Sequence, residues 1–333
     1  MGEEAAILMT MSLEPRTWVA RANHMAALAM FMLETHREFP LDSRALVTFV
    51  GFLYSRLIKG EVPKVSGASL ANYLSGIRLT HADLGFGQLP AVKDSMLLRA
   101  ACAGYKKASD SEMPPKDIRI AIPAEVLYRI LEWGSRDGAP RDDVRDATLV
   151  IIATVFGLRA AGAESIQNEN AELEDDGLEV LVGALKARTR EAARRRGARS
   201  FYSPEPVQGY PLTVLGLFAI WRAMRGDAEG PLFDATGLSS CSLDATTVKA
   251  VSAVGFEVPA GCTIRGHSPR ISAFSQAALM QWDVVRLKIR FDWRNLEDMS
   301  DVYMDHRQRT STASRVFFSP HLPEPPSGPS ENL

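Results

Sequence analysis

Across residues 17–105 almost no run alternates apolar and polar side chains with period two, while Ala, Met and Leu recur at helical spacing. That pattern commits the first third of the chain to helices. Trp18–Thr35 and Leu41–Ile58 read as two of them, with Asp42 or Ser43 capping the second. A third starts at Ser66 or Ser69, runs through Leu70, Tyr73, Leu74 and Ile77, and ends before Gly85. A fourth spans Ala91–Tyr105. The polar stretch Lys106–Lys116, which contains Met113-Pro114-Pro115, reads as a linker.

A second unit starts near Ile118 and has a different texture. Pro123 opens a helix through Trp133, and Asp142 or Asp143 opens another through Phe156. After a turn at Asp175-Asp176-Gly177, Leu178–Leu185 is a β-like apolar run, with Arg199–Tyr202 as its partner. Helices return at Leu212–Met224, Ala245–Val254, Ser268–Gln281 and Val284–Ile289. A length of 333 residues suits about two domains at roughly 150 residues each. The expected organisation is an N-terminal extension at 1–16, a helical domain at 17–107, a linker at 108–117, a mixed α/β domain at 118–318 and a flexible tail at 319–333.

Charge excludes little until its placement is considered. Lys plus Arg number 38 against 40 Asp plus Glu, a net of −2, and that total does not suggest a nucleic-acid binder. Residues 111–185, however, hold 7 basic and 15 acidic side chains, whereas residues 186–200 hold 7 basic ones against Glu191 alone. An arginine-rich segment beside a β-like run suits phosphate contacts. It equally suits a solvated loop. Three cysteines, Cys102, Cys241 and Cys262, odd in number, widely spaced and without CxxC spacing, argue for a reducing compartment and against a structural zinc site. The longest apolar stretch, Ala147–Leu158, falls short of the roughly 18 residues a spanning helix needs. Glu3 and Glu4 replace the basic start of a secretory signal. The expectation is a soluble intracellular protein with no membrane partner.

Four places in the second unit carry chemistry. Gly157-Leu158-Arg159 delivers a guanidinium at the end of the most apolar helix, where it needs an anion or a carboxylate such as Glu164. Lys186 follows the β-like run, where a lysine is either solvated or tuned to give up a proton. In His267-Ser268-Pro269-Arg270, Ser268 reads as an N-cap and Pro269 as the first helical residue. His267 and Arg270 then flank a helix N-terminus, which already favours an anion. Trp293 and Tyr303 stand ten residues apart. A phenol becomes a nucleophile only beside cationic groups, and otherwise serves packing.

Taken in order, Arg159, Lys186, His267-Ser268-Pro269-Arg270, Trp293 and Tyr303 resemble the tyrosine recombinase (phage integrase-like) family. The first unit is similar to that family's helical core-binding domain, notably over Ser66–Gly85 followed by Pro90. The resemblance covers roughly residues 15–315. It implies a mainly α fold with a small β-hairpin or sheet, in which a helical core-binding domain precedes a mixed α/β catalytic domain. It departs from the family pattern at Gly162, where relatives usually carry an acidic residue; Glu164 comes two positions later. The glycine that often precedes the third motif is also missing from Ile289-Arg290-Phe291-Asp292.

The resemblance further implies site-specific strand exchange on double-stranded DNA without metal or ATP, through a 3′-phosphotyrosyl link made by Tyr303. Arg159 and Arg270 would neutralise the phosphate, His267 would assist proton transfer, Trp293 would pack and donate its indole N–H, and Lys186 would protonate the departing 5′-oxygen. Arg188, Arg190, Arg194, Arg195, Arg196 and Arg199 would contact DNA. The family works as a homo-tetramer on two duplexes, a C-terminal segment docking on a neighbour; Val316-Phe317-Phe318 fits that segment here. Tyr202 and Tyr210 are rival tyrosines that precede the His-x-x-Arg motif. The competing readings are an inactive or weak DNA-binding accessory protein on the same fold, a type IB topoisomerase-like activity, and a helical scaffold with no nucleic-acid role.

Overall fold

A computed structural model describes residues 15–112, 117–175, 177–182, 198–202, 207–234, 242–283, 287, 305 and 311–318. The chain divides into two compact units between Lys116 and Asp117. The first is helical: α1 (Pro15–Thr35), α2 (Ser43–Lys59), α3 (Gly67–Asp83), a 3-10 turn at Val92–Asp94 and α4 (Met96–Glu112). Asp42 caps α2, its Oδ1 accepting from Ala45 N at 2.6 Å, and Gly60 ends it at φ +70°, a value that favours glycine. Ala45, Leu46, Phe49, Val50, Leu53 and Leu57 are buried, a stripe with helical period that meets Phe31, Leu74 and Ile77 in one core. His81 lies buried inside this unit. Gly87 O can only accept, so Nδ1 donates to it at 3.0 Å and Nε2 accepts from Leu41 N at 3.0 Å.

The fourth helix differs from its expected span. It begins at Met96 and runs to Glu112, so the polar residues after Tyr105 are still helical. A tertiary bond explains this: Ser109 Oγ accepts from Gly67 N at 2.8 Å, tying the last turns of α4 to the start of α3.

The second unit is built around one buried helix. It contains β1 (Ile118–Arg119), α5 (Ala124–Ser135), α6 (Arg141–Val155), α7 (Ala160–Glu164), β2 (Ala171–Leu173), β3 (Leu178–Val182), β4 (Ala198–Tyr202), α8 (Val214–Arg225), α9 (Leu243–Ala253), β5 (Cys262–Thr263), α10 (Ser268–Leu279) and α11 (Ser314–Phe317). Every residue of α6 from Val144 to Val155 is buried, and α5, α8, α9 and α10 all pack on it. A helix apolar on all faces demands such wrapping. Its two buried threonines, Thr148 and Thr154, return their hydroxyls to the carbonyls of Val144 and Val150.

The polar start of α6 is closed by charge. Asp146, almost fully buried, accepts from Arg145 Nε and Nη2 at 3.0 and 2.8 Å and from Lys249 Nζ at 2.6 Å. Asp146→Ala would leave Arg145 buried without its main anion. We expect it to cost about 3–5 kcal/mol of stability, read as a lowered midpoint in urea unfolding; an unchanged midpoint would contradict this.

The sheet is small, as expected. Strands β2, β3 and β4 pair antiparallel, with Leu178 opposite Tyr202 and Val182 opposite Ala198. Leu178, Val180 and Val182 alternate into the core. Elsewhere β1 pairs parallel with β5, setting Arg119 beside Thr263. The C-terminal Val316-Phe317-Phe318 packs within this unit. All three are buried in this chain's own core, and Tyr202 Oη donates to Val316 O at 2.9 Å.

Candidate active site

The end of α6 makes a left-handed turn. Gly157 has φ +59°, a conformation glycine adopts at little cost, and Leu158 N donates to Ala153 O at 2.8 Å. The chain reverses there, and Arg159 becomes the N-cap residue of α7, half-buried. Arg270, from the first turn of α10, is only 3% exposed. Its Nη1 donates to Gly157 O at 2.6 Å. One guanidinium thus fixes the loop that presents the other, across 113 residues of sequence.

His267 sits at the start of α10. It occupies the N-cap position expected for Ser268, so Ser268 and Pro269 both fall one step further into the helix. The reason lies in the preceding turn. Ser268 Oγ accepts from Arg265 N at 3.1 Å and Ser268 N donates to Arg265 O at 2.8 Å, so the serine closes the turn and leaves the next helical amides alone.

The electrostatics of this corner are lopsided. Burial, reinforced by the guanidinium groups of Arg270, Arg119 and Arg159, pushes the His267 imidazole down to about 4. The ring is therefore neutral at pH 7 and surrounded by three permanent cations. Guanidinium groups grouped in this way suit an anion with several acceptor oxygens.

The sign of the pH effect follows. Between pH 6.5 and about 4 the unfolded chain binds a proton that the native ring rejects, so this residue makes the fold less stable as pH falls through that window. We expect the His267 Cε1–H resonance to titrate near pH 4 in the free protein. Adding a DNA duplex should move that midpoint upward, because a phosphate offsets the three cations. A midpoint unmoved by saturating DNA would contradict the assignment.

Three of the residues expected at the site, Arg159, His267 and Arg270, are thus brought together. Lys186, Trp293, Tyr303, Arg188, Arg190, Arg194, Arg195 and Arg196 lie outside the described residues, and of Arg199, in β4, only the backbone is described, opposite Leu181 of β3. Asp305, two positions after Tyr303, is anchored: its N donates to Ser275 Oγ at 2.8 Å and its Oδ2 accepts from Ala121 N at 3.0 Å. The rival Tyr202 is buried with its hydroxyl engaged, and Tyr210 meets Tyr128 edge to face at 4.6 Å. Among the described residues, Glu172, Glu174 and Glu179 form the one convergent carboxylate group, and none belongs to this corner.

Sequence reasoning missed Arg119. Its signal was a lone cation in the alternating run Ile118-Arg119-Ile120-Ala121-Ile122, which reads as a short strand. Pairing with β5, four residues before His267, carries it to the corner.

This mostly helical fold with its small sheet is the fold of tyrosine recombinase catalytic domains. Similar solved structures include a lambda integrase (residues 75–356) dimer bound to a COC′ core site, at TM-score 0.56 and 13% identity over 92% of this chain and 94% of that one. The Tn1549 transposon integrase in complex with circular intermediate DNA matches at TM-score 0.53 and 12% identity, over 91% and 93%. A lambda integrase tetramer bound to a Holliday junction matches at 0.52 and 12%, over 87% and 76%. No family model and no curated protein matches the chain by sequence. Among the described residues no helix is long and apolar enough to cross a membrane.

Proposed function

We propose that the protein is a site-specific DNA recombinase that cuts and rejoins double-stranded DNA through a 3′-phosphotyrosyl intermediate. The observation that carries this reading is the corner itself: Arg270 clamped to Gly157 O, with Arg159 and Arg119 also facing a neutral His267. It supplies fixed positive charge where a phosphodiester gains negative charge in a trigonal-bipyramidal transition state. Similar folds are found on DNA, among them a tetramer on a Holliday junction.

In this reading the Tyr303 oxygen attacks the scissile phosphorus, and the bond from phosphorus to the 5′-oxygen breaks. The phenolic proton passes to His267, which is neutral and able to accept it, and Lys186 gives a proton to the leaving 5′-oxygen. Trp293 packs beside the phosphate and donates its indole N–H, and the arginines between 188 and 199 hold the backbone nearby. The phosphotyrosine retains the bond energy, so the 5′-hydroxyl of a second strand reverses the step without ATP or metal. Four copies on two duplexes would complete strand exchange.

The test is a nicked suicide substrate carrying the DNA that flanks the chain's own coding region. A covalent protein–DNA adduct unaffected by EDTA is expected. Binding without any adduct would leave only the accessory reading. Replacing the 5′-oxygen by sulfur removes the need for a proton, so Lys186→Ala should lose far more activity with oxygen than with sulfur. Equal losses would remove Lys186 from the role of general acid.

A further inference from the structure

In the proposed recombinase site, no acidic residue stands three positions after Arg159, and Gly162 occupies that place against Val182. The first turn of α9 provides carboxylate contacts from elsewhere. Leu243 N, at the start of α9, donates to Glu164 Oε1 at 2.9 Å. Glu164 is the last residue of α7, the helix that Arg159 opens. One residue along α9, Asp244 Oδ1 accepts from Gly266 N at 2.8 Å, and its Oδ2 lies 3.6 Å from Arg265 Nη1. One contact joins α9 to the helix that Arg159 opens, and the other joins it to the residue before His267.

Gly266 explains how tight this joint is. A Cβ there would stand 2.9 Å from Asp244 N and 3.0 Å from its Cα, so the turn before His267 rests on the backbone of α9 itself. With Arg270 bonded to Gly157 O, the contacts close a ring: Arg159, α7, Glu164, α9, Asp244, Gly266, His267, Arg270, Gly157. An acidic residue in a first helical turn is ordinarily explained by the helix dipole. That explanation does not require a bond to Gly266, which belongs to another segment 22 residues away.

We propose that Asp244 is a positioning residue of the site, holding the Arg265–Ser268 turn so that His267 and Arg270 keep their places relative to Arg159. It acts through the Gly266 amide and touches no phosphate. The inference rests on the recombinase reading for its rate effect, but not for its geometry. The bond needs an acceptor oxygen rather than a charge, so asparagine can keep it and alanine cannot.

The experiment compares Asp244→Ala and Asp244→Asn in the full-length protein. In single-turnover adduct formation at saturating suicide substrate, Asp244→Ala should be slower by about 100-fold, as for a misplacement near 1 Å. DNA affinity should stay near that of the wild type, and Asp244→Asn should recover most of the rate. A generic packing or dipole role predicts instead that both variants lose stability and that neither rate at saturation changes. The second readout needs no activity: the His267 Cε1–H titration in free protein. Asp244→Ala should move its midpoint from about 4 towards 6.5 as the ring loosens, and Asp244→Asn should not. An unmoved midpoint in Asp244→Ala overturns the positioning role even if the wild type forms no adduct. Absence of an adduct with a moved midpoint overturns the recombinase reading alone.

Discussion

Arg270→Ala should lower the rate of DNA cleavage by about 100- to 1000-fold, the range for removing one preorganised donor from a developing oxyanion. Two losses combine in this variant. The phosphate loses a cation, and Gly157 O loses the Nη1 donor that holds the Arg159 loop at 2.6 Å. Arg270→Lys should recover little, because an ammonium cannot serve a carbonyl and a phosphate together from a planar fork. Single-turnover cleavage at saturating duplex measures this; a lysine variant as fast as the wild type would show that charge alone suffices. The same substitution removes one of the cations facing His267, so its imidazole should titrate higher in Arg270→Ala.

Tyr303→Phe is expected to have the larger effect and to leave no detectable adduct. No other group can replace an attacking phenol without a comparable position. Tyr202 is committed to Val316 O from inside the core, and Tyr210 packs on Tyr128. The phenylalanine variant should still bind duplex DNA, with affinity falling steeply as salt rises, since phosphate contacts release counterions. A flat salt response would favour a protein with no nucleic-acid role.

Much of the fold was legible because helices announce themselves locally. The Asp42 cap and the buried stripe of α2 follow from spacing alone. The error at α4 has a physical source: the bond between Ser109 and Gly67 extends a helix through residues whose composition reads as linker. The one-residue shift at His267 arises because Ser268 spends its hydroxyl on the turn behind it. At the candidate corner, Arg159, His267 and Arg270 were named from order and residue type, and the fold brings the three together. Arg119 and Asp244 were not, since each meets its partner in a distant segment, and the short alternating run around Arg119 does not say which strand it pairs with. Net charge says little about this corner for a related reason. It averages an acidic stretch with a basic one, whereas three guanidinium groups at one imidazole decide the local field.

In the proposed reaction one particular phenol, that of Tyr303, becomes joined to DNA. The most direct measurement traps the wild-type adduct on a suicide substrate, digests both components, and identifies the nucleotide-bearing peptide by mass spectrometry. The expected result is a 3′-phosphate ester on Tyr303. An ester on Tyr202, Tyr210 or a serine, or a 5′-phosphate linkage, would contradict the account.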